Sequence, residues 1–138
     1  MATLTNKDYC DYDTCVALKK LGYNEKTLAY YTSEGFFHWI RAYIYDVAIP
    51  DLANSSNKKP YKHIIDAMSL YDAQKWLREE KHLHIEVRWY CNMWYEYEAK
   101  EAEGKAIAEG SAFPTYEEAL STAVYMATEY LKEMEEEK

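Results

Sequence analysis

Glycine and proline are scarce in this chain, four and three residues of 138. None of the glycines falls in a G-x-G-x-x-G or P-loop spacing, which excludes the standard nucleotide cradles, and no cofactor is expected. The three cysteines, Cys10, Cys15 and Cys91, are odd in number and form no C-x-x-C pair. That spacing supports neither a disulfide framework nor a zinc site, and reduced thiols are the natural reading. No stretch approaches the ~18 apolar residues of a membrane span. The opening residues, Met1 to Asp8, hold no apolar run of the kind a secretory leader carries. A soluble, intracellular protein that does not engage a membrane is therefore expected.

An excess of basic residues is also missing. Residues 1–68 hold 8 Lys and Arg against 8 Asp and Glu, and residues 69–138 hold 8 against 16, so the second half carries the whole net charge of −8. Such a surface repels nucleic acid and anionic lipid. Its plain reading is solubility; its functional reading is attraction for a basic partner.

Apolar residues make up 49% of the chain, enough for a real core, and tyrosine is abundant at 15 residues. The length suits a single domain, 1–138. Most tyrosines lie in periodic segments and read as packing for a small sheet. Any that remain exposed would suit a recognition surface, because the ring is amphipathic and costs little entropy to order.

The second half has the clearer grammar. Ser69-Leu70-Tyr71-Asp72 is a capping box, followed by Ala73, Trp76 and Leu77 on one helical face. Leu83 to Cys91 alternates: Leu83, Ile85, Val87, Trp89 and Cys91 point one way and His84, Glu86, Arg88 and Tyr90 the other. Asn92-Met93 reads as a tight turn. Trp94 to Glu101 answers as a second strand, with Tyr95, Tyr97 and Ala99 on one face. Lys105 to Glu109 reads as a short third strand. Thr115-Tyr116-Glu117-Glu118 is a second capping box, and Tyr116, Leu120, Ala123, Val124, Ala127, Leu131 and Met134 form an apolar stripe behind it. Glu133 and Glu135 to Glu137 oppose the helix dipole, so residues 135–138 are expected to fray.

In the first half, Asp13 is placed to cap a short helix, Thr14 to Leu21, closed by Gly22. Asn24 to Tyr31 is open between a helical turn and an extended piece. Phe36 to Tyr45 is aromatic and β-branched enough for a strand, buried or used at an interface. Residues 50–60, from Pro50 to Pro60, read as a loop. The expected fold class is α+β: a three-stranded antiparallel sheet packed on two helices in the order helix-strand-strand-strand-helix. An N-terminal helix and an aromatic strand or hairpin join the same core.

Three segments carry a family resemblance. They are Ala17-Leu18-Lys19-Lys20-Leu21-Gly22-Tyr23 with Tyr30-Tyr31; Asp72 to Lys81 (DAQKWLREEK) running into His84-Ile85-Glu86-Val87; and Thr115-Tyr116-Glu117-Glu118-Ala119-Leu120. Together, in this order, they resemble an uncharacterised family of small proteins from Bacteroides-type gut bacteria, their phages and mobile elements. This chain departs from the family at Ala67-Met68-Ser69, where a proline would precede the cap, and in its more acidic tail. The resemblance implies a small accessory protein in the cytoplasm of a bacterial host. It implies no activity.

The chemistry readings are weaker. The element order is also that of the double-stranded RNA-binding domain, but Glu117 and Glu118 stand where that module grips phosphates, so no nucleic-acid binding is expected. His82 and His84 would share a strand face with Glu86 beside them, a spacing that reads first as solvated histidines and as a metal site only second. Cys91 falls on the apolar face and reads as a buried, inert thiol. The leading expectation is a non-enzymatic protein–protein interaction module. Its surface would be drawn from whichever of Trp39, Tyr43, Tyr45, Tyr95 and Tyr97 are exposed. A homodimer through the Phe36 to Tyr45 edge is a variant of this reading. The alternatives are an acidic mimic of nucleic acid that inhibits a DNA-binding host protein, and a small enzyme using His84 with Glu86 or Cys91.

Overall fold

A computed structural model describes residues 6–25, 27–32, 34–39, 64–91 and 94–137. After a short 3-10 turn, α1 spans Tyr12–Lys20. Its cap is Asp11, whose Oδ1 accepts from the Thr14 amide at 2.8 Å, and not Asp13. Asp11 takes the extended backbone that a cap needs, while Asp13 lies inside the first turn, where its charge favours the helix dipole. At the other end, the Gly22 amide donates to Lys19 and the Tyr23 amide to Leu18. This paired closure requires a left-handed residue, and Gly22 supplies it at φ +112°.

Three short strands follow: β1, Ala29–Thr32; β2, Phe37–Trp39; and β3, Ile64–Ala67. They form an antiparallel sheet in the order β2-β1-β3, with Ala29 opposite both Trp39 and Ala67. The segment left open between helix and strand is therefore strand from Ala29 onward. Sequence analysis did not foresee β3. It carries Asp66, which is almost fully buried and accepts a 3.4 Å ion pair from Lys19 of α1. Of the aromatic segment Phe36 to Tyr45, Phe37–Trp39 forms β2, and its continuation lies outside the described residues, as does the Pro50 to Pro60 loop.

The second half follows its expected order. Helix α2, Leu70–Glu80, starts where Ser69 Oγ accepts from the Asp72 amide at 3.0 Å. Strands β4, Leu83–Cys91; β5, Trp94–Glu101; and β6, Ala106–Phe113 make an antiparallel sheet in chain order. Helix α3, Tyr116–Glu136, begins where Thr115 Oγ1 accepts from the Glu118 amide and lies across that sheet. It runs on through the acidic tail, with the Glu137 amide still donating to Glu133. Exposed charges of the wrong sign at a helix end cost about 0.3–1 kcal/mol, too little to open hydrogen-bonded turns.

Strand β6 is longer than Lys105 to Glu109 because its partner, not its own composition, holds it. Gly110 faces Tyr97 of β5, and that ring lies over the glycine. A Cβ at position 110 would come within 2.6 Å of Tyr97 Cε1 and 3.3 Å of Phe113 Cε2. Tyr97 is buried and cannot swing away cheaply. Gly110→Ala is expected to cost about 1–2 kcal/mol of stability, overpacking outweighing the gain in strand propensity, as a shift in the urea midpoint would show.

Buried residues from both halves join one hydrophobic cluster. It runs from Cys15 and Leu18 of α1 through Ala29, Tyr31 and Met68 to Leu77, Tyr97, Leu120 and Val124. The Tyr31 hydroxyl donates to the Cys10 carbonyl at 2.6 Å and ties β1 to the segment before α1. Cys10 and Cys15 are free, buried thiols.

Candidate functional site

The hairpin of β4 and β5 outruns its cover. Helix α3 starts at Tyr116, and the Tyr116 ring meets Tyr95 edge-on at 6.1 Å. Trp89 lies directly opposite Tyr95 on the same sheet face, yet it is 63% exposed. Trp94 is 41% and Tyr90 39% exposed, and Cys91 is exposed with them. The alternation of β4 therefore correctly gives the side each residue faces for Leu83, Ile85 and Val87. It fails as a guide to burial beyond them, because the helix that would bury Trp89 has not yet begun.

Cys91 differs from expectation for a second reason. A one-residue irregularity between Trp89 and Cys91 pairs Cys91 with Trp94. Trp94 precedes Tyr95, so strand alternation places it on the opposite, open face. The extra residue thus turns Cys91 from the apolar face to the open one, and the thiol is exposed, not buried and inert. The hairpin end carries aromatic rings on both sides, Trp89 and Tyr95 on one and Trp94 on the other.

Behind this end, the open face is a lattice of charges. Arg88 Nη1 sits 2.9 Å from Glu86 and 3.9 Å from Glu98, and its Nε 3.2 Å from Glu96. Lys100 meets Glu98 at 3.0 Å. Exposed pairs of this kind add little stability. They do set the pattern of the surface: the carboxylates of the sheet alternate with cations and do not form an unbroken acidic row. His84 is exposed on this same face opposite Lys100, and Glu86 is engaged by Arg88. His82 lies in the turn before β4 at φ +58°, so it does not share a strand face with His84. Among the described residues, no group of three or more His, Cys, Asp or Glu is placed to hold a metal ion.

The proposed recognition tyrosines separate. Tyr97 is 4% exposed and packs 5.8 Å from Phe113, so it belongs to the core and is unavailable to a partner. Tyr95 is half-buried against Tyr116. Tyr43, Tyr45 and the side chain of Trp39 lie outside the described residues. Sequence reasoning missed Trp89, Tyr90 and Trp94. The available signal was their clustering around the hairpin turn, the point on a sheet where a covering helix most easily ends.

Among the described residues, no helix is long and apolar enough to cross a membrane. Comparison with family models, with curated proteins and with solved structures finds no match for this chain.

Proposed function

We propose that this chain is a non-enzymatic protein–protein interaction module, with the end of the β4–β5 hairpin as its contact. One observation carries the reading: Trp89, Tyr90 and Trp94 are all exposed at the same end of the β4–β5 pair, spread over its two faces. Exposed aromatic clusters of this kind mark interaction sites, and tryptophan and tyrosine dominate binding energy where they are found. The resemblance of the three sequence segments supports an accessory protein of a phage or mobile element, acting in the cytoplasm of a bacterial host, as part of this proposal. The acidic second half favours a protein partner over nucleic acid.

This reading is preferred to an acidic mimic because Arg88 and Lys100 interrupt the carboxylates of the open sheet face. It is preferred to a small enzyme because His84 and Glu86 sit on an exposed sheet face while Cys91 is at the hairpin end.

The test pairs light scattering with a pull-down from a Bacteroides-type lysate. The wild-type chain is expected to run as a 16.3 kDa monomer at low and high salt and to retain one specific partner. Replacing Trp89 and Trp94 together with alanine is expected to weaken that capture by about 100-fold or more, since hot-spot aromatics are worth about 2 kcal/mol or more each. The thermal midpoint should move little, because neither ring belongs to the buried core. Capture unaffected by the double variant would defeat the proposal. A salt-resistant dimer that dissociates in the double variant would make the partner a second copy of this chain.

A further inference from the structure

Helix α2 presents a second surface, away from the hairpin end. Asp72, Lys75, Trp76, Glu79 and Glu80 recur at the spacing of one helical stripe. The closure of α1 at Gly22 turns Tyr23 inward beside that stripe, with Glu25 following. Between them lies a cleft of about 250 Å³. Its floor is aromatic: Tyr23 and Trp76 are 3% and 8% exposed, with ring centroids 5.5 Å apart. Its rim is acidic, four carboxylates against the ammonium of Lys75, with Lys81 Nζ 5.5 Å from the Trp76 ring.

Acidic rims are common on a chain of this charge. Tyr23 sets this one apart. Its hydroxyl has no hydrogen-bond partner among the described residues. Yet no buried side-chain nitrogen or oxygen among them is left unsatisfied. The hydroxyl must therefore reach open space, and the space its side chain lines is the cleft. A phenol whose ring is held by the core and whose oxygen meets only water can exchange that water for a ligand's hydrogen bond. Burial, and after it Asp72 and Glu25, push the phenol well above its ordinary value, so it remains an uncharged O–H whose lone pairs can accept.

The contents of the cleft select the ligand. Carboxylates and a phenol oxygen accept hydrogen bonds, and an indole face attracts a cation; a ligand that stacks there displaces Lys81 Nζ, which sits 5.5 Å from the Trp76 ring. A guanidinium suits all three better than an ammonium, because it is planar, stacks on aromatic faces and donates in a fixed fork. The cleft is too small for a helix, which is about 10–12 Å across, but has room for one long side chain. We propose that this cleft receives an arginine side chain presented by a basic partner protein. The site is independent of the hairpin end, and its test reads a different tryptophan.

In the full-length chain, the indole N–H resonance of Trp76 is assigned by its loss in Trp76→Phe. It is then followed during titration with a capped Gly-Arg-Gly peptide at low salt. The expected result is a saturable shift that weakens as salt is added. The same peptide with citrulline, neutral and of the same shape, is expected to give none. Glu79→Gln combined with Glu80→Gln should weaken binding about tenfold. Tyr23→Phe keeps the ring and breaks no internal bond, so it should weaken binding about threefold or more while leaving the thermal midpoint in place. Equal shifts with arginine and citrulline, no shift with arginine, or wild-type binding in both variants would each overturn the proposal. Spermidine binding as tightly as the peptide would replace the protein source with a free polyamine.

Discussion

Above about pH 10, the protein is expected to lose about 1.4 kcal/mol of stability per pH unit for each of two buried tyrosines, Tyr23 and Tyr31. Both phenols are pushed well above their ordinary value of 10.0, chiefly by burial. Asp72 and Glu25 add to the effect at Tyr23, and Cys15 and Cys10 at Tyr31. The unfolded chain releases these protons at the ordinary value, and the folded chain holds them. Ionisation therefore stabilises the unfolded state first. Stability contributed by the two groups is complete below about pH 10 and falls as the pH rises from there toward their folded-state values. By about pH 11 the pair together should have cost about 3 kcal/mol, a large share of the 5–15 kcal/mol typical of a domain. Tyr31 also has a specific reason to resist: its hydroxyl donates to the Cys10 carbonyl, and a phenolate could not. Urea midpoints measured between pH 8 and pH 11 would show the decline. Tyr31→Phe should lower the plateau by about 1 kcal/mol and make the alkaline limb shallower. An unchanged slope in a chain carrying both Tyr23→Phe and Tyr31→Phe would refute this account.

Leu120→Ala is expected to destabilise the whole chain by about 3 kcal/mol, within the 2–5 kcal/mol range for emptying a buried leucine site. Leu120 is fully buried on α3, the helix that meets α1, α2 and all three strands of the second sheet. The more informative result is where the loss appears. The buried side chains of both sheets form one cluster, so a cavity under α3 should also loosen the first sheet. In hydrogen exchange, the amides of β1 and those of β5 should lose protection together. Leu18→Ala, made from the α1 side of the cluster, should do the same. Protection retained in β1 while β5 is lost would mean two cooperative units that touch without sharing a core.

What sequence alone determined here is what adjacent residues decide among themselves. Ser69 and Thr115 start their helices because each hydroxyl reaches an amide three residues on. Strands β4 and β5 match the expected bounds because a period of two is written in the residues themselves. The α+β class followed from those four elements. Tertiary structure decided the rest. Strands β1 and β3 are four residues each and pair with one another across more than thirty residues of chain, so neither carries enough pattern to announce itself. Alternation assigned Tyr97 and Trp89 to the same face but could not say that one is core and the other surface. That depends on where α3 begins over the sheet. Nor could spacing foresee that Tyr23 and Trp76, over fifty residues apart, would floor a common cleft. Burial and convergence are properties of what lies opposite a residue, and that is settled only when the layers meet.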